Sequence, residues 1–569
     1  MSGPRADPAE GGPGFLRSAG VVSAAVFLSR ITGLVREMAM ARLFGAGQAY
    51  DAFLLGFRIP NLTRDLFAEG ALSSAFVPIF TGYLAAKGKR AAAELSNLTA
   101  TLLLLAAGAT CAVGMIFSPV LVRLMAPGFE QVPGKFALAV LLTRVMFPFL
   151  ALVALAAQAM GVLNACDRYG VPALASAVFN VASVAVGLAL GFTIGRSRGD
   201  GPIVCMAIGV LAGGLLQLLW QAPSLWRAGF AYRPRWNPRH PGVRAIAHLM
   251  LPAFLGNAAV QINVMVNTNI ASSLTDASGH VLNGPVSWLS YAFRFLQLPL
   301  GLFGVAIAAA TLPEIARSAA RARMDEFGKT LGRSLRMTLF LAVPSSVVLA
   351  VLGRSMIGAV YQWGRFQAFD TQQTASALAC YSVGLAGYSG VKLLAPAFYA
   401  LNDARTPMLV SVASIALNLA AALLLARQWG MGQAGLALST SMVALAGAAA
   451  LLGLMRARLA AMGAALEGRR IWTSALKTCS AAAAMGAACG ASSHLIRALA
   501  GAGKKGQLAD VAVSIPLGAA VFCAVAMVLG SEELKELWAA CYTASRNASR
   551  PEVGDPPAGN RSSPGGTNA

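Results

Sequence analysis

Residues 98–126 read LTATLLLLAAGATCAVGMIFSPVLVRLMA, an apolar run in which Arg123 is the single charge. It is longer than the roughly 20 residues that a helix needs to cross a bilayer. It is also continuous, whereas a barrel strand alternates over about ten residues. A helix satisfies its own backbone in lipid, so the stretch reads as a membrane-spanning helix. Similar runs recur at 171–195 (VPALASAVFNVASVAVGLALGFTIG), 407–426 (PMLVSVASIALNLAAALLLA) and 436–455 (LALSTSMVALAGAAALLGLM). About fourteen such segments follow one another along the chain. The fold class is therefore all-α integral membrane.

Composition agrees. The chain is 57% hydrophobic and 12% charged, with mean hydropathy +0.63, outside the range of soluble domains. A net charge of +22 in a soluble protein would suggest a nucleic-acid partner, but here the cations fall in alternate loops and no nucleic acid is implied. Lys87, Lys89 and Arg90 form one group, Arg227, Arg233, Arg235, Arg239 and Arg244 a second, and Arg317, Arg321, Arg323, Lys329, Arg333 and Arg336 a third. The intervening loops TDASGHVLNG (275–284) and RQWGMGQ (427–433) are nearly free of them. The positive-inside rule places the basic loops and both termini in the cytoplasm. Arg497, Lys504 and Lys505 break this pattern. The eight cysteines and four histidines show no ligand spacing, so packing is their expected role, and no metal or cofactor is called for. The start of the chain looks a little like a signal peptide, but its apolar stretch runs on into the first span. The end, from Arg546, is rich in Pro, Gly, Ser and Asn and reads as disordered.

The chain repeats itself. AFLLGFRIPNL (52–62) returns as SWLSYAFRFLQLPLGL (287–302), which pairs Arg58 with Arg294; AFVPIFTGYLA (75–85) returns as AATLPEIARSA (309–319), which pairs Pro78 with Pro313. LNACDRYGVPALASAVFN (163–180) returns as YALNDARTPMLVSVASIALN (399–418), which pairs Asp167 with Asp403. The offset is 235 or 236 residues each time. It holds six spans, and an even number returns the chain to its starting side, so the halves are parallel repeats. The expected organisation is a tail over 1–14, a first six-helix lobe over 15–228, a basic linker over 229–243 and a second six-helix lobe over 244–458. An extra pair of helices within 471–530 and a tail over 531–569 complete it. Two such lobes around a central cavity suit a transporter that alternates between two open states.

The first span, within VVSAAVFLSRITGLVREMAMARLFGAGQAYDAF (21–53), carries Arg30 and Arg36. The second contains FRIPNLTRDLFAEG (57–70), with Arg58, Pro60, Arg64, Asp65 and Glu69, a segment too polar for lipid and broken by proline. Its repeat keeps Arg294 and Pro299. An arginine at the bilayer centre costs about 3 kcal/mol on insertion scales, so these cations need a hydrated cavity or a partner. Guanidinium groups match phosphate oxygens bidentately, which points to a phosphorylated or pyrophosphorylated ligand held by Arg30, Arg36, Arg64, Arg294 and Arg58. Asp51, Glu37, Asp65 and Glu69 are the candidates for gating or ion pairing.

SRITGLVRE (29–37), RLFGAGQAYDAF (42–53), IPNLTRDLFAEGALSSAFVPIF (59–80) and SVGLAGYSGVKLLAPAFYALNDARTP (382–407) resemble the MurJ/MviN family of bacterial lipid II flippases, in the MOP exporter superfamily. The resemblance covers nearly all of the chain except the two tails. It implies fourteen helices, a V-shaped cavity, and movement of the undecaprenyl-pyrophosphate-linked peptidoglycan precursor, lipid II, from the cytoplasmic to the periplasmic leaflet of the inner membrane. The family's essential cavity arginines fall on Arg30, Arg36 and Arg64, its span-eight arginine on Arg294, and its essential aspartate on Asp51. The last two helices would form a groove for the polyprenyl tail, and the resemblance leaves room for contacts with cell-wall synthesis proteins.

The chain also departs from the family pattern. Phe293 and Gln297 stand beside Arg294 where some members carry acids, and the spans containing 244–273 and 407–426 lack Asp and Glu. Sodium coupling, which uses such carboxylates in some members, is therefore not expected, although Asn418 could be a remnant ligand. Export of another polyprenyl-linked oligosaccharide stays open. So does a different class, a membrane enzyme acting on polyprenyl phosphates, but that needs an acidic or histidine cluster. Asp167 and Asp403 are isolated and read instead as helix caps.

Overall fold

The computed structural model describes residues 13–64, 73–195, 199–276, 278–501 and 503–539, with side chains described except at 13–23, 63–64, 73–74 and 251–260. The first half contains α1 (Pro13–Phe44), α2 (Gln48–Arg64), α3 (Ser73–Ile116), α4 (Ser118–Met125), α5 (Lys135–Met146), α6 (Phe149–Ala165), α7 (Gly170–Thr193) and α8 (Gly201–Arg227). The second contains α9 (Pro241–Ser272), α10 (Pro285–Pro299), α11 (Ala306–Ala320), α12 (Met324–Tyr361), α13 (Ala368–Val383), α14 (Leu385–Ala400), α15 (Arg405–Ala422) and α16 (Gly432–Ala461). Then come α17 (Gly468–Ala500), α18 (Lys504–Val528) and a short helix over 532–539.

The halves use the same partners in the same order. α1 packs on α7 and α7 on α8; correspondingly, α9 packs on α15 and α15 on α16. α3 is two arms joined at Gly88, whose φ of 78° needs a residue without a Cβ. α10 runs through a π-helical turn, Leu300–Val305, into α11.

Matching turns close α6 and α14. Arg168 N donates to Leu163 O and Asp167 N to Asn164 O; Asp403 N donates to Phe398 O and Asn402 N to Tyr399 O. Each is the Schellman pattern, with Asp167 (φ 57°) and Asn402 (φ 56°) in the left-handed position. The Asp167–Asp403 pairing is therefore out by one residue: Asp403 stands where Arg168 does. Asp403 caps α15 by accepting from Thr406 N (3.1 Å) and Thr406 Oγ1 (2.8 Å), which holds its carboxyl below the usual value. Asp167 is not a cap of that kind, since its carboxylate accepts from Tyr169 Oη at 3.0 Å.

The linker lies along α3. Arg233 N donates to Asn97 Oδ1 and Arg235 N to Thr101 Oγ1, both at 3.2 Å, and Arg235 pairs with Glu94 at 3.0 Å. α9 starts at Pro241, inside the expected linker, because His240 Nδ1 caps it by accepting from Gly242 N. α17 and α18 pack on each other and on α12. At one end Arg336 pairs with Glu532 (2.7 Å) and Glu533 (3.4 Å); at the other Gln507 Nε2 donates to Gln362 Oε1 (2.7 Å).

Among the described residues nine helices are long and apolar enough to cross a membrane, or ten with the bent pair α13–α14. α1, α2, α9 and α17 are not among them; α1 carries Arg30, Arg36, Glu37 and Arg42. The chain is a multi-pass, all-helical membrane protein.

Candidate functional site

Glu37, about two turns before the end of α1, is a junction between the two halves. Its carboxylate accepts from Arg294 of α10 and, at 3.1 Å, from Tyr361 Oη at the end of α12. Arg36 Nη2 lies 4.0 Å from the same carboxylate, and the Arg36 guanidinium sits 5.6 Å from the Phe179 ring centroid. The carboxylate is buried, with 9% of its side chain exposed, whereas the Arg36 and Arg294 side chains are 20% and 41% exposed. One acid therefore stands beside two arginines from facing helices, and both keep part of their side chains exposed.

Asp51, on the first turn of α2, is fully buried and fully bonded. Its Oδ2 accepts from Lys135 Nζ and from Gly284 N, both at 2.8 Å, and its Oδ1 from Ser287 N (2.9 Å) and Ser287 Oγ (2.6 Å). Lys135 Nζ also donates to Asn283 Oδ1 at 2.9 Å. Asp51 thus caps α10 from the opposite half, where the helix dipole favours an anion. Gly284, at φ 113°, must be glycine, since an added Cβ would meet Ala46 O and the Trp288 ring at 2.6 Å. Around this knot Tyr50 stacks on Tyr291 at 5.1 Å, Tyr291 meets Tyr361 at 4.6 Å, and Arg365 N donates to Arg42 O at 3.1 Å. The halves are sealed at the end where α1 passes into α2.

The remaining candidates fall differently. Arg30 is exposed and has no hydrogen bond or ion pair among the described residues; its guanidinium lies against the π turn, where an added Cβ on Gly301 would meet Nη2 at 2.6 Å. Arg58 Nη1 donates to Thr268 Oγ1 of α9 at 2.5 Å, while Asp51 is paired with Lys135. Arg294, which has no acid on its own helix, is compensated by Glu37 of α1. The Arg64 side chain, Asp65 and Glu69 lie outside the described residues. Lys135, Ser287, Tyr361 and Thr268 were not anticipated. Lys135 alone left a signal, as a lone cation opening the apolar run KFALAVLL.

An amide network joins α9, α15 and α16. Asn263 Nδ2 donates to Ser414 Oγ (3.1 Å), Asn267 Nδ2 to Thr440 Oγ1 (2.9 Å), and Asn418 Nδ2 to Asn267 Oδ1 (3.0 Å). Ser439 Oγ donates to Asn418 Oδ1 at 3.3 Å. The network is neutral, and among the described residues no group of three or more His, Cys, Asp and Glu is placed to hold a metal ion.

Several known proteins are similar to this chain. The lipid II flippase MurJ from Burkholderia cenocepacia is 37% identical over 395 residues, 69% of this chain and 74% of that protein. A Vibrio cholerae protein named "Probable lipid II flippase MurJ" is 35% identical over 480 residues, 80% of this chain and 89% of that protein. Among solved structures, a lipid II flippase MurJ in an inward closed conformation superposes with a TM-score of 0.71 at 24% identity, covering 89% of this chain and 98% of that one. An inward-facing MATE multidrug transporter of the MOP superfamily superposes at 0.63 and 15% identity, covering 78% and 99%. Residues 40–502 match the family described as lipid II flippase MurJ, and the chain belongs to that family.

Proposed function

We infer that the chain is a lipid II flippase of the bacterial inner membrane, carrying the undecaprenyl-pyrophosphate-linked precursor between leaflets by alternating access. Membership of the MurJ family supports the substrate. The observation that carries the mechanism is the placing of Arg30, Arg36 and Arg294 on the facing helices α1 and α10, each with a partly exposed side chain. Such a group can take a pyrophosphate through charge-assisted, forked hydrogen bonds. Arg64 and Arg58 complete the set in this reading. The charge pattern puts both termini and the basic loops in the cytoplasm, so the sealed end with Asp51 faces the periplasm. Substrate then enters from the cytoplasmic leaflet and leaves once the Glu37–Arg294 and Asp51 junctions part.

The test is replacement of an essential native flippase by this chain in a depletion strain, followed by lipid II exposure at the periplasmic face. Growth with normal exposure is the expected result. Intact lipid II accumulating inside, with the chain correctly inserted, would refute the substrate assignment.

A further inference from the structure

Arg497, Lys504 and Lys505 sit at the end of the bundle opposite the basic loops, against the charge pattern of the rest of the chain. Beside them a buried polar cluster joins three helices. Asp510 of α18 is fully buried and accepts from Ser493 Oγ of α17 (2.6 Å), from Ser514 Oγ of α18 (2.7 Å) and from Ser355 Oγ of α12. Arg497 Nε lies 3.8 Å from Asp510 Oδ2, and Arg497 Nη2 donates to Ser493 Oγ at 2.7 Å. The acid holds the guanidinium from behind, with its own oxygens taken up by three hydroxyls.

In front of it lies a cavity of about 380 Å³, lined by Val351 of α12 and by Gly490, Ser493, His494, Arg497 and Ala498 of α17. That volume is within the range of small-ligand pockets. Arg497 keeps 39% of its side chain exposed and has no partner on Nη1 among the described residues. His494, one helical turn away, is exposed and also unpartnered among them. Gly490 leaves the inner wall open, since an added Cβ would touch Val351 Cγ1 only at 4.0 Å. No carboxylate lines the cavity. A planar guanidinium and an imidazole one turn apart can hold a tetrahedral oxyanion from two sides.

Depth favours a lipid over a free ion. Arg497 is three residues from the end of α17, about 4.5 Å along the axis, so it lies near the membrane interface. Leu495 and Leu499 of the same helix are 59% and 79% exposed, an apolar flank beside the charged mouth. Basic pockets between membrane helices on the cytoplasmic or matrix side take lipid headgroups, and the same chemistry serves at this opposite end. We propose that the pocket between α12 and α17 binds the phosphate of a membrane-lipid headgroup through Arg497 and His494, with Asp510 as the positioning residue. The site is separate from the arginines of the central cleft and stands whatever substrate crosses there.

The test uses the purified full chain, with lipid retention followed by native mass spectrometry. Dioleoylphosphatidylglycerol is the probe, dioleoylglycerol the control without phosphate, and inorganic phosphate the free anion. Wild type is expected to retain phosphatidylglycerol and not dioleoylglycerol. Arg497→Gln should weaken retention about tenfold and His494→Gln about threefold, as charge-assisted and weaker donors are lost. Gly490→Leu, which fills the cavity and changes no charge, should abolish it, and Lys535→Gln should leave it unchanged. Unaltered retention in Gly490→Leu or in both charge variants would overturn the proposal. So would inorganic phosphate displacing the lipid at equal concentration. Should Arg497→Gln fail to fold, Gly490→Leu and His494→Gln decide the matter alone.

Discussion

A single carboxylate, Glu37, holds Arg294 and Tyr361 and stands beside Arg36, whereas Arg30 pairs with none among the described residues. Arg30→Ala and Arg36→Ala should each abolish lipid II export at matched protein levels while leaving insertion intact, because losing a cation from a membrane helix eases insertion. Lysine should restore little, since a point charge lacks the guanidinium fork. Normal export by either alanine variant would remove that residue from the substrate site. Arg294 raises a different expectation now that its partner is known. A pair that bridges the halves belongs to closure as much as to binding, and breaking it leaves the buried Glu37 with only Arg36, at 4.0 Å, to balance its charge. Arg294→Ala should lose export and lipid II binding by the purified variant together, each about tenfold or more, whereas Glu37→Gln should lose export with binding reduced less than about threefold. Binding kept in Arg294→Ala while export is lost would make Arg294 a latch rather than a ligand. Arg58→Ala breaks a neutral-partner contact to Thr268 and should be the milder change.

The first turns of α2, α5 and α10 meet in one junction. Asp51 and Lys135 both have fully buried side chains, and removing one member of such a pair costs about 3–5 kcal/mol. Asp51→Asn or Lys135→Met should therefore lower the thermal midpoint of the purified protein sharply, while the double variant should lose less than the sum of the two. Simple additivity would show that the pair does not couple there. α9, α15 and α16 make a second junction, built from asparagine and hydroxyl groups without a fixed charge. Its acceptor Asn263 Oδ1 is buried without a hydrogen-bond partner among the described residues, but a network with no carboxylate offers a sodium ion only neutral oxygens. Export by reconstituted vesicles should persist when sodium is exchanged for potassium at fixed potential, and its collapse would show that the amides bind the ion after all. Backbone geometry sets a third constraint. Gly364, at φ 59°, faces Arg42 O, which an added Cβ would approach to 2.3 Å. Gly364→Ala should hinder sealing of that end, seen as greater labelling of a cysteine placed at Ala46, with insertion unchanged.

Across the whole molecule, the helical class, the two halves and the extra pair could all be read from apolar run length and from the repeat, because both are local or periodic properties of the chain. Arg30, Arg36 and Arg294 stand out in the sequence because a cation in an apolar span is conspicuous. Their partners do not. Lys135 and Asp51 are far apart in sequence, and nothing in either segment announces the other. Tyr361 looks like an ordinary interfacial aromatic until α12 delivers it to Glu37. The one-residue error at Asp403 came from aligning side chains where the turns align by backbone: Asn402, not Asp403, takes the left-handed position. At this scale transport should follow membrane potential, worth about 2.3 kcal/mol per charge per 100 mV; export unchanged when the potential is collapsed would exclude that drive. The junction at Asp51 also bears on how such a protein can evolve. On the α10 side it rests on two main-chain N–H groups and one hydroxyl. A main-chain donor survives almost any change of side chain, so apart from Gly284 the α10 side can drift while the seal persists. In an alignment of relatives, Asp51 should then covary with Lys135 rather than with residues of α10. A contact that closes the molecule would leave almost no trace in inherited variation.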